Sequence, residues 1–262
     1  MGGIVELSTQ QWFAINEIAK LIHTAPMESI QRQVTASIRE TNLVAFSHCM
    51  YHFAALVGEE YIAFEYGSID ISPDQIELYQ SKFEAVDYIN WYADAAVPRV
   101  YRDTDIIPNT VRESSVMMRH WMQPNGIFYS AGITIASEKP YGNIYFFRSK
   151  DEGDFTNVEM EALSVINDHL CIRFAREFPS GIPRYLFEQP TNLPLATRFN
   201  LTEREVVILL NIRDGCLRKN LPGRLCISEN TLKKHLANIY HKTHTGSYEE
   251  LIQLIRTDES LS

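Results

Sequence analysis

Hydrophobic side chains recur along the first 178 residues with two different periods. The 3.6-residue period predicts amphipathic helices over 9–23, 26–40, 72–94, 109–122 and 155–178. Segments rich in aromatic and β-branched residues predict strands over 43–55, 61–66, 97–101, 127–136 and 143–148. Because several strands follow one another through short turns, the sheet is expected to be antiparallel, with helices packed on it. We therefore predict an α+β domain over 1–178.

A proline-rich segment follows this domain. Four prolines fall within 16 residues, at Pro179, Pro183, Pro190 and Pro194. Proline at this density prevents both a helix and a central strand, and it stiffens the chain. The sequence thus predicts a linker over 179–195 and a second domain over 196–262.

The second domain has only helical patterns, which predicts an all-α, four-helix domain. Thr202 and Glu205 have the spacing of a capping box at the start of its first helix. A short second helix is expected over 218–225, where Pro222 limits its length or distorts it. Ser228 is the expected cap of a third helix that runs to about 242, and a fourth helix is expected over 248–255.

The third helix is predicted to direct Leu232, Leu236 and Ile239 to the core. The polar positions left outside include lysines, which neutralise phosphate, and asparagines, which pair with adenine through two hydrogen bonds. A helix of this size, preceded by a short helix and a tight turn, fits the major groove of DNA. From charge alone, a solvated polar face explains the same pattern.

A family resemblance favours the DNA-binding interpretation. The residues that carry it are Leu201-Thr202-Glu203-Arg204-Glu205, Gly215, Lys219, Arg224-Leu225, Ile227-Ser228-Glu229, Thr231-Leu232-Lys233, His235-Leu236, Asn238-Ile239-Tyr240 and Lys242. Through these residues the segment resembles the LuxR-type (GerE-like) helix-turn-helix domain. The resemblance implies that the third helix reads the major groove of double-stranded DNA and that the fourth helix often pairs two such domains.

The resemblance also supplies the expected DNA-binding residues. These are Ser228, Asn230, Thr231, Lys233, Lys234, His235, Asn238 and Lys242. Lys233 and Lys242 are the expected phosphate contacts, and Lys234 and Asn238 are placed at the base edges. Where the family usually has Leu-Gly-Val after Lys242, this chain has Thr243-His244-Thr245. That change removes apolar anchors of the fourth helix and a glycine suited to a left-handed helix end.

Charge is distributed in a way that agrees with two such domains. The chain has a formal net charge of −9, yet residues 196–262 carry 10 Lys and Arg against 8 Asp and Glu, while the first 195 carry 14 against 25. Only the weakly basic second domain is expected to meet phosphate. Neither a signal peptide nor a membrane-spanning stretch is evident, so a cytoplasmic protein without membrane contact is expected.

Cofactor and metal chemistry are not expected. The four cysteines match no zinc pattern, and His48 and His52 would lie about 13 Å apart along a strand. No nucleophile elbow, P-loop or dinucleotide fingerprint is present, so we predict that the protein is not an enzyme.

The helix and strand order of the first domain resembles GAF/PAS-like sensor folds and the ligand domain of LuxR-type quorum-sensing receptors. Those receptors surround an acyl-homoserine lactone with a Trp/Tyr/Asp-Pro pattern; here Trp91-Tyr92-Ala93-Asp94 has no following Asp-Pro, so we do not transfer that ligand. Aromatic residues are candidates for lining a small-molecule pocket: Tyr51, Phe53, Tyr61, Trp91, Tyr92 and Trp121. The alternative for each is that it fills the core.

Together these features predict a one-component transcriptional regulator, expected to be a homodimer, that is modulated by a small-molecule effector or by dimerisation through its first domain. Two alternatives stay open for the first domain. It is either a protein-interaction or dimerisation module without ligand, or a residual enzyme-like domain. In both alternatives the second domain would bind DNA more weakly.

Overall fold

The computed structural model describes residues 6–57, 60–182, 195, 198–213, 216–225 and 227–259. The chain divides into two compact units, 1–182 and 183–262, and each is described by itself. Most of the predicted linker lies outside the described residues, so its bounds stay a prediction. Within the described part of the chain, no helix has the length and hydropathy needed to cross a bilayer.

The N-terminal unit contains seven α-helices and five strands among its described residues. In chain order they are α1 (Thr9–Thr24), α2 (Ile30–Glu40), β1 (His48–Val57), β2 (Glu60–Ile69), α3 (Pro73–Leu78), α4 (Asn90–Ala93), β3 (Arg99–Arg102), α5 (Asp103–Ile106), α6 (Asn109–Ser114), β4 (Tyr129–Ala136), β5 (Pro140–Arg148) and α7 (Asn157–Glu177). The α+β class predicted from the sequence is confirmed.

The five strands form one sheet in the order β2-β1-β5-β4-β3, and every neighbouring pair is antiparallel. The predicted hairpin between the fourth and fifth strands is present, with Tyr129 opposite Arg148 and Ala136 opposite Pro140. The turn expected at 58–59 lies outside the described residues. Central strands β5 and β4 are buried along almost their whole length, so both sheet faces are covered.

Helices α2 and α7 pack against one face of the sheet, and α1 packs against both of these helices. Capping boxes fix the start of two of them, from Ser8 to Gln11 in α1 and from Thr156 to Glu159 in α7. Most apolar positions predicted from the 3.6-residue period are buried, among them Ile15, Ile18, Ile22, Leu163, Ile166 and Leu170. Trp12, which the same period places on the buried face of α1, is instead 46% exposed. Here the sequence pattern and the structure agree closely.

Residues 73–94 and 103–125 pack over the opposite face, and we call these two segments the helical cover. The sequence predicts one helix over 72–94, but the structure breaks it into α3, a π-helical turn (Tyr79–Phe83), a 3₁₀ turn (Glu84–Val86) and α4. The Asp87 carboxylate accepts the Ile89 backbone N–H at 3.2 Å and starts a new turn. Such a bond from side chain to backbone competes with helix continuation.

A second predicted helix, over 109–122, is interrupted in the same way. Helix α6 ends at Ser114, and the Ser115 hydroxyl accepts the Met118 backbone N–H at 3.1 Å. A π-helical turn (Met118–Met122) and a 3₁₀ turn (Gln123–Asn125) follow. The helical cover is therefore a series of short turns, which directs many side chains toward the sheet.

The C-terminal unit is all-helical, as predicted. Its helices are α8 (Glu203–Arg213), a 3₁₀ turn (Arg218–Asn220) that leads into α9 (Leu221–Arg224), α10 (Glu229–Thr243) and α11 (Tyr248–Glu259). One core joins all of them through buried side chains that include Leu209, Leu221, Leu236, Ile239, Leu251 and Ile255. The predicted short second helix is confirmed, because α9 has only four residues.

Candidate nucleic-acid interface and a buried polar cluster

Helix α10 separates an apolar face from a polar one. The Ser228 hydroxyl accepts the Thr231 backbone N–H at 3.1 Å and caps the helix, as its sequence predicts. Leu232, Leu236 and Ile239 are buried in the core of the unit. Turning these three residues inward leaves a continuous polar face, about four turns long, on the opposite side.

The eight residues expected to contact DNA fall into two groups. Asn230, Lys233, Lys234 and Asn238 are exposed on the polar face of α10. The other four take part in the fold: Ser228 and Thr231 bond to each other through their hydroxyls at 2.8 Å, His235 is half-buried, and Lys242 is held in an ion pair.

The ion pair of Lys242 connects the end of α10 to the start of α8. Its ammonium lies 2.7 Å from Glu205 Oε2 and 3.1 Å from the Asn200 carbonyl oxygen. Burial raises the pKa of Glu205, but the hydrogen bonds from Lys242 and Thr202 outweigh it, so the net shift is downward. Lys242 therefore pairs with Glu205, a partner that the sequence does not reveal. Lys233, by contrast, is exposed on the polar face, where its ammonium can reach a phosphate.

A groove between residues 218–224 and α10 contains two cations that were not among the DNA-binding residues predicted from the sequence. Arg218, Lys219 and Lys233 line this groove together with Pro222 and Glu229, and its volume is about 320 Å³. Arg218 and Lys219 precede α9 as an exposed basic pair, the one sequence signal that points to them. The basic surface thus extends beyond α10.

In the N-terminal unit, the structure does not bring the six candidate ligand residues together. Tyr51 lies over Gly67, and the Phe53 ring lies 6.1 Å from that of Phe174 in α7, so both residues belong to the face against which α2 and α7 pack. Trp91 is 68% exposed. These three residues do not line a common cavity with the others, because strand parity and the turn at α4 direct them elsewhere.

The other three candidates do lie on the face under the helical cover. Trp121 is fully buried and donates its indole N–H to the Gln75 carbonyl at 3.0 Å. Tyr92 packs edge-on against Tyr101, with ring centroids 5.2 Å apart. Tyr61 hydrogen-bonds to His52 and Asn143. They belong to a larger group of polar side chains.

A β-bulge brings Tyr61 and Tyr66 to the same face. The register of β1 and β2 shifts between Tyr51 and Phe53, and Glu65 on β2 has a φ of 53°. Residues five apart on a regular strand point to opposite faces, but both tyrosine rings lie beside His52, with centroid separations of 6.4 Å and 4.9 Å. Burial lowers the pKa of His52 to about 3, so its imidazole is neutral.

Carboxylates from the helical cover meet these tyrosines, and we call the whole group the polar cluster. Its members are His52, Tyr61, Tyr66, Tyr79, Glu84, Asp87, Asp94, Tyr101, Asn143 and Tyr145. Tyr66 donates to Glu84, Tyr79 donates to Asp87 at 3.0 Å, and Asn143 donates to Asp94 at 3.2 Å.

Two of these carboxyl groups, those of Asp87 and Asp94, have pKa values above the ordinary value for aspartate. Burial is the main cause, and it raises the pKa of Asp94 to about 7, with the charges of Asp87 and Glu84 adding to the effect. Burial likewise raises the pKa of Asp87 to about 6. Both groups therefore titrate near neutral pH.

Two hydroxyls of the polar cluster have no hydrogen-bond partner in the part of the chain that the structure describes. The Tyr101 and Tyr145 side chains are 4% and 3% exposed, and neither hydroxyl is bonded. Gly132 on β4 lies opposite Tyr101 on β3 and opposite Tyr145 on β5. Because glycine has no side chain, the Tyr101 ring can occupy this place: a Cβ on residue 132 would lie 2.4 Å from Tyr101 Cζ. Buried hydroxyls usually find a partner, so this pair is available for one.

A cavity of about 10 Å³ lies next to Tyr145. Its lining includes Asp87, Tyr88, Met50, Met117 and Met122. This volume corresponds to about one water molecule, so this cavity has little free space. Among the described residues, no group of three or more His, Cys, Asp or Glu side chains has the arrangement of a metal site.

Comparison with known proteins identifies the C-terminal unit. Residues 200–255 match the family described as bacterial regulatory proteins, luxR family (GerE). Residues 200–255 form a LuxR-family helix-turn-helix domain. In this LuxR-family domain, α10 is the third helix and bears the exposed polar face.

The departures of this LuxR-family domain from the usual pattern are accommodated locally. His244 adopts the left-handed conformation with φ of 57°, at the helix end where glycine is favoured. Thr243 is buried and satisfies its hydroxyl by donating to the Ile239 carbonyl at 2.8 Å. Tyr248 of α11 donates to the Cys216 carbonyl at 3.0 Å, so the fourth helix remains anchored.

Several solved structures resemble the chain at low sequence identity. Escherichia coli SdiA aligns with 13% identity over 92% of this chain and 94% of its own, with a TM-score of 0.46. CepR2 from Burkholderia cenocepacia, described as an N-acylhomoserine lactone dependent LuxR family transcription factor, aligns with 13% identity over 63% of this chain and 94% of its own, with a TM-score of 0.45. The A. aeolicus nlh2 GAF domain aligns with 13% identity over 64% of this chain and 97% of its own, with a TM-score of 0.38. Likeness at this level assigns neither a ligand nor an assembly state.

Proposed function

We propose that the chain is a sequence-specific, DNA-binding transcriptional regulator whose third C-terminal helix, α10, enters the major groove. The observation that supports this most is the exposed row of Asn230, Lys233, Lys234 and Asn238 within a LuxR-family domain. Lysines at this position attract phosphate, and asparagines at base edges discriminate adenine. Such a regulator acts where the chromosome is, in the cytoplasm.

Arg218 and Lys219 are proposed as additional phosphate contacts. They line the groove beside Lys233, at one end of the polar face of α10. Three cations in one groove strengthen binding to any duplex and make it dependent on salt. Sequence discrimination is assigned to Asn238 and Lys234 instead.

Capture of genomic fragments by the full chain, followed by sequencing, tests this function. We expect a recurrent motif among the captured fragments, bound at least about a thousandfold more tightly than random duplex at physiological salt. Equal recovery of all fragments would reject sequence-specific recognition.

We further propose that the chain works as a homodimer. Phe13 on α1 and Ile172 on α7 are 69% and 61% exposed, and these two helices pack against each other. We assign these exposed apolar side chains to the contact with a second copy. A two-fold dimer would place operator half-sites about 10 bp apart, or at multiples of that distance. Sedimentation of the full chain tests the proposal: a dimer that Phe13→Ser and Ile172→Ser weaken, and that the equally exposed Val116→Ser leaves intact, is expected. A monomer at all concentrations would reject it.

For the N-terminal unit, we propose that a small molecule binds between the sheet and the helical cover and changes DNA affinity. The buried, unpartnered hydroxyls of Tyr101 and Tyr145 support this proposal. The small cavity volume favours the second candidate, a dimerisation module without ligand. Thermal-shift measurements with a broad metabolite panel separate the two, because only the sensor is stabilised by a compound.

A further inference from the structure

We infer that the effector of the N-terminal unit carries a cationic amine on an apolar body, with Asp87 and Asp94 as the residues that recognise the amine. This inference rests on the proposed sensor function of that unit. It names the chemical class of the ligand, which neither the LuxR-family match nor the aromatic pattern supplies.

The first observation is a charge imbalance under the helical cover. Glu84, Asp87 and Asp94 are half-buried and close enough to influence one another, yet in the described residues no salt bridge reaches any of them. Uncompensated carboxylates away from water are costly, and a cation supplied by a ligand relieves that cost.

The cations on this side of the sheet are committed elsewhere. Arg112 is fully buried, lies 3.6 Å from Asp103 and donates to the Phe128 carbonyl. Arg99 lies over the Tyr92 ring at 4.1 Å and donates to the Tyr92 carbonyl. Neither arginine is paired with Asp87 or Asp94.

The second observation is independent of charge. Among the described residues the buried Tyr145 hydroxyl has no hydrogen-bond partner, and Tyr145 lines the same cavity as Asp87. A phenol oxygen accepts a hydrogen bond from an ammonium, and tyrosine ring faces attract cations. Asp87, Tyr88, Tyr145 and Phe147 thus line one cavity, and Asp94, whose charge acts on Tyr145, belongs to the polar cluster beside it.

The cavity size and lining fit an ammonium head with an apolar tail. The present space of about 10 Å³ has room for a group the size of one water molecule. Beyond it lie Met50, Met117 and Met122, whose unbranched side chains adapt readily to a neighbouring group. A tail enters by displacing methionine side chains rather than by moving strands.

Other ligand classes match this arrangement less well. A carboxylate or phosphate would add negative charge beside Asp87 and Asp94. A neutral alcohol can bond to the Tyr145 hydroxyl but leaves the carboxylate charge uncompensated. An amine satisfies both requirements with one group.

Calorimetric titration of the full chain with matched probes tests this inference. The probes share one body and differ in the head: phenethylamine, 2-phenylethanol and 3-phenylpropanoate. At pH 7.5 we expect the amine to bind at least about tenfold more tightly than the alcohol, and the carboxylate to bind weakest. Asp87→Asn and Asp94→Asn should each remove most of the preference for the amine, whereas Glu77→Gln, an exposed neighbour on α3, should not.

Three outcomes would overturn the amine assignment: equal or tighter binding of the alcohol, an amine preference that survives both Asn variants, or no binding of phenethylamine. The comparison of heads within the parent protein needs no variant, so a failure of Asp87→Asn to fold does not affect it. If a neutral or anionic compound from the metabolite panel binds instead, the sensor function stands and the amine assignment fails. If no compound binds, the sensor function itself fails.

Discussion

Lys242 Nζ lies 2.7 Å from Glu205 Oε2, which joins the last turn of helix α10 to the first turn of α8. Glu205 is 2% exposed, and its carboxylate also accepts the Thr202 backbone N–H at 2.8 Å in a capping box. One buried carboxylate therefore completes a helix N-terminus and fixes the orientation of the helix proposed to contact DNA.

Lys242→Met should destabilise the C-terminal unit, because it leaves the Glu205 carboxylate buried without its cation. We expect a loss of about 1–3 kcal/mol, measured as faster hydrogen–deuterium exchange in peptides from 200–255. Lys234→Met is the matched control, since that lysine is exposed on the same helix. Unchanged exchange together with weaker DNA binding would instead show that Lys242 contacts DNA directly.

Lys233→Ala should weaken binding to every duplex by a similar factor, because an exposed lysine beside Arg218 and Lys219 contributes charge rather than base readout. The slope of log K against log salt should decrease by about 0.9. Fluorescence anisotropy over a range of salt concentrations measures this slope. Lys20→Ala, on α1 of the other unit, should leave it unchanged; an unchanged slope for Lys233→Ala would remove this residue from the interface.

Asp94→Asn should stabilise the N-terminal unit above neutral pH. The folded pKa of Asp94, about 7, is above the ordinary value of 3.8, so the folded state binds the proton more tightly than the unfolded state. Stability contributed in this way is complete at low pH and is lost as the pH rises from about 4 through 7. Asparagine does not ionise, so the variant does not lose this stability as the pH rises. We expect its free energy of unfolding at pH 8 to exceed that of the parent by about 1–2 kcal/mol. This is less than the whole pKa shift would give, because Asp94 is half-buried and solvent screens its charge.

Urea unfolding followed by tryptophan fluorescence checks the Asp94 prediction. All three tryptophans lie in the N-terminal unit, so the signal reports that unit alone. Parent and variant should converge as the pH falls to about 4 and separate toward pH 8. A constant difference, or a variant that is less stable at pH 8, would contradict the assigned ionisation.

Much of the fold follows from the sequence because it depends on local patterns. The capping box of Thr202 and Glu205 and the buried stripe of α10 are set by spacing alone. The breaks in the two predicted helices at Asp87 and Ser115 do not follow from spacing. A helical period does not show which polar side chain will accept a hydrogen bond from a backbone N–H. Those two hydrogen bonds divide both predicted helices of the helical cover.

The candidate ligand residues were harder to predict for a related reason. Strand alternation assigns Tyr61 and Tyr66 to opposite faces, and only the bulge at Glu65 brings them together. Tyr51 and Phe53 share an aromatic character with Tyr61, but their strand positions direct Tyr51 over Gly67 and Phe53 toward Phe174 of α7. The acidic members of the polar cluster come from turns whose geometry depends on tertiary packing.

Selection of bound sequences from a randomised duplex pool tests the central claim most directly, with the full chain and its Asn238→Ala variant compared at the same salt concentration. Asn238 is exposed on α10 and is proposed to read a base edge, so the parent should enrich one motif and the variant should lose preference at one or two of its positions, by about 1–3 kcal/mol each. No enrichment by the parent, or an identical motif from both proteins, would contradict base readout by this face of α10.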